Sequence, residues 1–323
     1  MDEQRRRRMT GGLDLELVVV AVDEPVPGVR SIRLAAPDGR ELPGFVPGSH
    51  LLLDCGGRVN AYSLTSAGLG PSEYAVSVLL VANGLGGSRW IHERLAPGDR
   101  LAARLPRSAF PPVARARRHL LVAGGIGVTP IVAHLRAARR RGHDAQVLYV
   151  HRPGRGAHVD DVIGLSDGRA ELFTDRRAFS TRVEEALADQ PLGTHLYVCG
   201  PAALTDQVVA TAAGLGWPAS RIHTERFGAA VLEPGASFDV VLARTGGTLT
   251  VPGGTSLLEA LESAGLDVAS RCRHGVCGEC RIPVTAGRPL HRDLFLSEEE
   301  RSSGAWVMPC VSRADGSHLE VPL

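Results

Sequence analysis

Cys272-Arg273-His274-Gly275-Val276-Cys277-Gly278-Glu279-Cys280, answered by Cys310 after 29 intervening residues, is the most informative stretch of this chain. The pattern is C-x4-C-x2-C with a distant fourth cysteine, a spacing by which four thiolates converge on two bridged irons. Gly275 and Gly278 suit that chemistry. Glycine lets backbone N–H groups turn toward the sulfurs, and those contacts tune the cluster. Zinc is the competing metal, but structural zinc sites usually pair two C-x2-C knuckles. Only one is present here. The spacing therefore predicts Cys272, Cys277, Cys280 and Cys310 as ligands of a [2Fe–2S] cluster. Cys55 and Cys199 stand outside the set, with Cys55 expected as a small buried or loop residue.

Around that loop the pattern is α+β. Residues 238–243 and 248–251 alternate about Gly246-Gly247 as a hairpin, and 319–322 reads as a closing strand. Residues 256–264 read as a helix opened by the capping box Ser256-x-x-Glu259. Residues 227–237, with Gly, Ala and Pro, read as a linker. Upstream, apolar strands at 119–123, 145–150, 170–173 and 194–199 alternate with helical stretches at 130–141, 181–188 and 202–214. That alternation predicts a doubly wound parallel α/β sheet. The first hundred residues differ again. Short apolar runs at 13–22, 29–35, 49–54, 60–64, 74–81 and 99–103 are separated by Gly, Pro and Asp, with one short helix within 87–95. Six short strands of this kind predict an antiparallel barrel or sandwich.

Between strand and helix lies Gly124-Gly125-Ile126-Gly127-Val128-Thr129-Pro130. Glycines there let a backbone approach a pyrophosphate at a helix N-terminus. Cys199-Gly200-Pro201 ends a later strand of the same sheet, on the edge where open α/β sheets bind ligands. The two elements together point to nucleotide binding. No metal spacing is found among the histidines, and His134 and His143 are expected to be solvated.

Composition excludes several classes. Thirty-six cationic and 35 acidic residues leave a net charge of +1, too balanced for nucleic acid or a membrane surface held by bulk charge. Every cation is arginine, which dilutes any inference from one basic residue. No apolar run approaches the ~18 residues of a membrane span. The basic run Arg5–Arg8 has no apolar segment after it, so no secretory signal is expected. Clustered cysteines favour a reducing compartment, the cytoplasm.

With GGIGVTPI, YVCGPAAL and the cysteine loop in one chain, the sequence resembles the phthalate dioxygenase reductase family, which includes the vanillate O-demethylase reductases. The resemblance covers about residues 12–323. It implies a flavin-binding antiparallel β-barrel at 12–113, an NAD(P)-binding α/β domain at 114–228 and a plant-type ferredoxin domain of β-grasp fold at 237–323. It also implies FMN, NADH and electron delivery to a separate terminal oxygenase, Rieske-type first and cytochrome P450 as the alternative. A flavin-free electron carrier or redox sensor is the rival from another class. FAD and NADPH remain the alternative cofactors, Arg152 and Arg155 being available to a 2′-phosphate. A monomer is expected.

The resemblance also assigns residues. The family's flavin motif R-x-Y-S appears as Asn60-Ala61-Tyr62-Ser63, without its arginine. Tyr62 is expected along the flavin ring and Ser63 near N5. Gly87, Ser88 and Arg89 match the second phosphate segment, with Arg58 and Arg89 as candidates for the missing charge. Gly124, Gly125, Gly127, Thr129, Cys199, Gly200 and Pro201 are expected at the nicotinamide, and Phe227 over the flavin ring. Ser63, Thr129, Cys199 and Glu225 are expected around the hydride path.

Overall fold

The computed structural model of the protein describes residues 15–82, 84, 86–108, 110–227, 235–270, 275, 278–293 and 295–323. The chain falls into two units, Met1–Phe227 and Gly228–Leu323.

The first unit opens with strands β1 (Leu15–Val26), β2 (Val29–Ala35), β3 (Ser49–Asp54), β4 (Val59–Ser63), β5 (Glu73–Leu79), β6 (Arg100–Ala103) and β7 (Arg107–Ser108). They form one antiparallel sheet in the order β4-β3-β6-β1-β2-β5, with β7 added to β3. A bridge between Leu64 and Val76 joins its two ends and closes a barrel. The period of two in the sequence sets the inside. Leu17 and Val19, Ile32 and Leu34, Leu51 and Leu53, and Val76 and Val78 all fill one core. Each such aliphatic side chain contributes about 1.5–3 kcal/mol on burial. Helix α1 (Gly87–Arg94) follows β5, and Arg30 holds its far end by donating to the carbonyls of Ile91 and His92 at 2.6 and 2.7 Å.

The second sheet of this unit contains β8 (Arg118–Gly124), β9 (Asp144–Val150), β10 (Ala170–Phe173), β11 (Thr194–Cys199) and β12 (Ile222–Glu225). All its pairs are parallel, in the order β10-β9-β8-β11-β12. Helices α2 (Val128–Arg141), α3 (Val159–Leu165), α4 (Arg176–Ala188) and α5 (Ala202–Gly214) cover two faces, each with its own apolar core. The order reverses between β8 and β11, the switch point at which such sheets bind ligands.

The second unit is a mixed sheet of β13 (Phe238–Leu242), β14 (Thr248–Val251), β16 (Ala286–Leu290) and β18 (Arg313–Val321), with a small pair β15 (Ile282–Pro283) and β17 (Trp306–Val307). Its order β14-β13-β18-β16, with β13 parallel to β18, is that of a β-grasp. Helix α6 (Leu257–Ser263) buries Leu257, Leu258 and Leu261 in the core, and both halves of the expected Ser256/Glu259 capping box are formed. A second box, Ser297/Glu300, starts α7 (Glu298–Ser303).

Several elements differ from the sequence reading. Strands β12 and β16 and helices α3 and α7 were not anticipated, nor were the two-residue strands β7, β15 and β17. Helix α3 has no Ser, Thr or Asn cap; it begins at His158 in the left-handed region, φ 56°, so the usual start signal is missing. His134 is not solvated. It is 1% exposed, its Nε2 meets the Phe110 carbonyl at 2.8 Å, and it packs on Tyr197, because α2 is covered on nearly every side over its first turns. His143 is half-buried, edge-on to His119. Most of the expected linker, 228–234, lies outside the described residues.

Candidate functional site

Three strand ends converge within the first unit. Ser63 ends β4 of the barrel, while Cys199 and Glu225 end β11 and β12 of the parallel sheet and stand side by side in register. Ser63 Oγ donates to Glu225 Oε2 at 3.5 Å, and the Cys199 thiol points to the same oxygen at 4.0 Å. Burial pushes the Glu225 carboxyl up to about 8, with the Ser63 hydrogen bond opposing that shift. Burial, then the charge of Glu225, also raises the Cys199 thiol well above its ordinary value. Burial thus favours the uncharged forms of both the thiol and the carboxyl. Such a set can hold or hand on a proton without placing a charge in the seam.

The glycine turn packs against the same strand end. A Cβ on Gly127 would lie 2.3 Å from the Cys199 carbonyl oxygen, and one on Gly124 would meet Leu204 at 2.8 Å and Pro201 at 3.0 Å. Gly200 closes on the Gly124 backbone from the other side. These three glycines bring β8 and β11 together. Gly125, at φ 53°, faces open space instead, so its freedom serves the turn's outer surface. Thr129 is buried and its hydroxyl donates to the Ile126 carbonyl at 3.0 Å, fastening the turn. Phe227 lies just beyond Glu225 and is 40% exposed.

On the barrel side, Asn60 and Tyr62 share one face of β4, and Asn60 Nδ2 donates to the Tyr62 hydroxyl at 3.2 Å. A Cβ on Gly87 would lie 2.4 Å from that Asn60 nitrogen, so the motif touches the first residue of α1. Ser88 Oγ accepts the Val81 N–H at 3.2 Å, and Arg89 donates to the Ala82 carbonyl at 2.7 Å. Leu79, Leu80 and Val81 form an exposed apolar run leading from β5 toward α1. The sequence reading ran the strand on through Val81, whereas β5 ends at Leu79. The cradle at Gly87 and the open turn at Gly125 fit a flavin and a nicotinamide.

A polar chain ties barrel to parallel sheet. His158 Nε2 meets Ser77 Oγ of β5 at 2.8 Å, and its Nδ1 meets Asp161 Oδ2 at 2.8 Å. Arg136 of α2 donates to Asp161 at 2.6 Å and to the Thr65 carbonyl at 2.9 Å. The hydrogen bond from His158, with Arg136 assisting, holds the Asp161 carboxyl below its usual range. None of these residues drew notice in the sequence, because the pairs span 71 and 81 positions.

In the second unit Cys280 and Cys310 are buried with their sulfurs 3.3 Å apart. Cys272 and Cys277 lie outside the described residues. Gly275 and Gly278 have φ 71° and 78°, and a Cβ would strike the Asp293 Cα at 2.9 Å and the Phe295 ring at 2.2 Å respectively. Only glycine suits either position. Asp293 braces the loop from behind, accepting from the Phe295 and Leu296 N–H groups at 3.2 and 2.8 Å and from Ser312 Oγ at 3.3 Å. Two converging thiols, with Gly275 and Gly278 packed closely nearby, fit a [2Fe–2S] cluster.

Comparison with known proteins agrees with this arrangement. Residues 99–222 match the family described as "Dimethylamine monooxygenase subunit DmmA-like, N-terminal domain", and 240–315 match the "2Fe-2S iron-sulfur cluster binding domain". The chain is 41% identical over 312 residues to the heme-dependent oxidative N-demethylase beta subunit of Ectopseudomonas mendocina (strain ymp), covering 96% of this chain and 99% of that one. It is 34% identical to a vanillate O-demethylase oxidoreductase of Pseudomonas sp. (strain HR199 / DSM 7063), covering 96% and 100%. The solved structure of phthalate dioxygenase reductase, described as modular for electron transfer from pyridine nucleotides to [2Fe–2S], superposes with a TM-score of 0.71 at 31% identity over 96% of this chain and 98% of that one.

Proposed function

The chain belongs to the phthalate dioxygenase reductase family, which includes the vanillate O-demethylase reductases, and from that membership we propose how its residues serve an oxygenase reductase. It is an oxidoreductase that takes electrons from a nicotinamide and delivers them through a flavin and a [2Fe–2S] cluster to a separate oxygenase. The observation that carries the site is the meeting of Ser63, Cys199 and Glu225 where the barrel faces the switch point of the parallel sheet. When bound, the nicotinamide supplies hydride, the flavin accepts it, and the cluster carries one electron at a time.

The chain's own part is to position and insulate. Ser63 and the protonated Glu225 form a short proton store beside the hydride path, and the buried Cys199 thiol walls it against water. Gly125 opens the turn toward the nicotinamide phosphates, while Thr129 and the closely packed Gly124, Gly127, Gly200 and Pro201 fix its shape. Asn60, Tyr62, Gly87 and Ser88 hold the flavin, with Phe227 at its ring. Cys280 and Cys310 hold the cluster together with Cys272 and Cys277. Residues 12–113, 114–228 and 237–323 are assigned to flavin, nicotinamide and cluster in that order. We assign FMN and NADH over FAD and NADPH, and the cytoplasm as the site of action. Among the described residues no helix is long and apolar enough to cross a membrane.

For the oxygenase, the N-demethylase relative and the dimethylamine monooxygenase match favour a haem-dependent enzyme acting on a small N-methylated amine, ahead of the Rieske-type acceptor expected from the family. The test is an anaerobic absorbance titration of the purified chain with NADH, then turnover with added oxygenase. A flavin band near roughly 450 nm that bleaches with NADH is expected. A spectrum without a flavin component overturns the reductase reading. NADH consumption stimulated by dimethylamine with the haem oxygenase, but not with a Rieske oxygenase and its substrate, supports the amine assignment; the reverse overturns it.

A further inference from the structure

We propose that Asp293 is a positioning residue for the cluster: its buried carboxylate ties the Cys310 arm to the turn that backs the cysteine loop, and its charge holds the cluster's reduction potential down. The inference deepens the cluster assignment made above and rests on it.

Three pieces of chain meet at Asp293. Oδ2 accepts the N–H groups of Phe295 and Leu296 at 3.2 and 2.8 Å, which closes a turn. That turn backs both glycines of the cysteine loop. The Asp293 Cα stands 2.9 Å from where a Gly275 Cβ would sit, and the Phe295 ring stands 2.2 Å from that of Gly278. On the other side, Oδ1 accepts the hydroxyl of Ser312 at 3.3 Å, two residues beyond Cys310. Val311, on the same arm, comes within 2.6 Å of the Gly275 Cβ position. One carboxylate therefore sets the spacing between the loop that carries three of the expected ligands and the arm that carries the fourth.

A turn by itself does not call for a charge. Asn or Ser closes such turns through the same side-chain acceptor, and a buried anion costs free energy unless it is well held. Here the side chain is wholly buried, and all three of its hydrogen bonds are accepted, the role of a carboxylate. The cations nearby stand off. His291 Nδ1 and Arg301 Nη2 lie 3.6 and 3.8 Å from the carboxylate, and Arg301 makes its closer bond, at 2.6 Å, to the Asp293 backbone carbonyl. Reduction adds one electron, received from the flavin, to a cluster already made anionic by four thiolates. A buried negative charge beside it opposes that electron, and no bond at Asp293 forms or breaks.

The test uses the full chain with flavin and cluster bound, in a redox titration that follows the electron paramagnetic resonance of the reduced cluster, and in a chelator assay of iron release. Asp293→Asn keeps an acceptor oxygen for the turn and removes the charge. At a fixed poise it is expected to raise the ratio of reduced to oxidised cluster about three- to tenfold, or about 30–60 mV at 59 mV per tenfold. The flavin potential should not move. Ser312→Ala keeps the charge and frees the arm, so iron release should quicken about three- to tenfold, as for one lost hydrogen bond, with the poise ratio within about twofold. An unchanged or more negative cluster potential in Asp293→Asn overturns the proposal. So does unchanged iron release in Ser312→Ala, a result that decides the matter even where Asp293→Asn takes up no cluster. Wild-type chain without iron and acid-labile sulfide after anaerobic reconstitution would instead sink the cluster reading itself, a failure distinct from any effect at Asp293.

Discussion

The seam of the first unit and the cysteine loop of the second solve opposite problems. The seam gathers Ser63 and Glu225 from 162 positions apart, and burial there favours uncharged groups. In the second unit three of the four expected ligands, Cys272, Cys277 and Cys280, fall within nine positions of sequence, and the two described sulfurs, of Cys280 and Cys310, come from residues 30 apart. A metal cluster is bound by covalent ligands, so local chain geometry can build most of its site. The proposed hydride path draws its groups from two different sheets, Ser63 from the barrel and Cys199 and Glu225 from the parallel sheet, so those sheets must meet to form it. The seam is therefore a product of packing alone, whereas the cluster site combines a short sequence motif with one distant residue, Cys310.

The largest expected effect separates the two completely. Cys280→Ser should abolish the [2Fe–2S] absorbance and bring bound iron close to zero, while anaerobic bleaching of the flavin by NADH stays within about twofold of wild type. Loss of bleaching in a folded variant would mean that the two regions are not separable.

Next in size is the pH response of the seam. Glu225 has a folded value near 8, raised from 4.5. Between those values the folded state binds more protons than the unfolded one, so stability falls as pH rises through this window. The slope is at most about 1.4 kcal/mol per pH unit for one group. Glu225→Gln should flatten the urea-denaturation profile of the first unit between about pH 5 and 8, with no matching change in the second unit. An unaltered slope would show that Glu225 ionises freely.

Glycine substitutions compare the two backbones directly. Gly127→Ala drives a Cβ into the Cys199 carbonyl, a backbone atom that cannot step aside, and should cost about 1–3 kcal/mol and lower the melting temperature of the first unit. Gly278→Ala meets the Phe295 ring, which can rotate, so its cost should lie nearer the ~1 kcal/mol of left-handed strain. Calorimetry resolving the two units reads both. A larger loss at Gly278 would reverse the comparison.

The smallest effect concerns the polar chain across the seam. Ser77→Ala removes one hydrogen bond to His158, worth about 1 kcal/mol. If that chain sets the approach of nicotinamide to flavin, the rate of flavin reduction at saturating NADH should fall severalfold with little change in NADH affinity. A change confined to thermal stability would make the chain a fastening only.

Much of the fold was legible because it obeys short-range rules. Strands at 29–35, 49–54, 170–173 and 194–199 and the helix at 202–214 match the expected bounds, since each has an unbroken apolar pattern between turn residues. The Ser256/Glu259 box formed as its spacing required. Strand β12 escaped because its four residues, Ile-His-Thr-Glu, show no apolar run; it pairs only because β11 offers an edge. His134 was misread because its carbonyl partner Phe110 comes from a loop 24 residues earlier, a contact that no local pattern announces.

By itself the sequence determined the cysteine spacing, the glycine positions and the alternation of strand and helix, and hence the order of barrel, parallel sheet and a smaller unit of hairpin and helix. These depend on backbone preference and periodicity, which act over a few residues. Tertiary structure alone decided that Ser63 meets Glu225 and that burial raises the carboxyl there. The reason is that desolvation and hydrogen bonding depend on which surfaces come together, and a chain of residues does not carry that information locally.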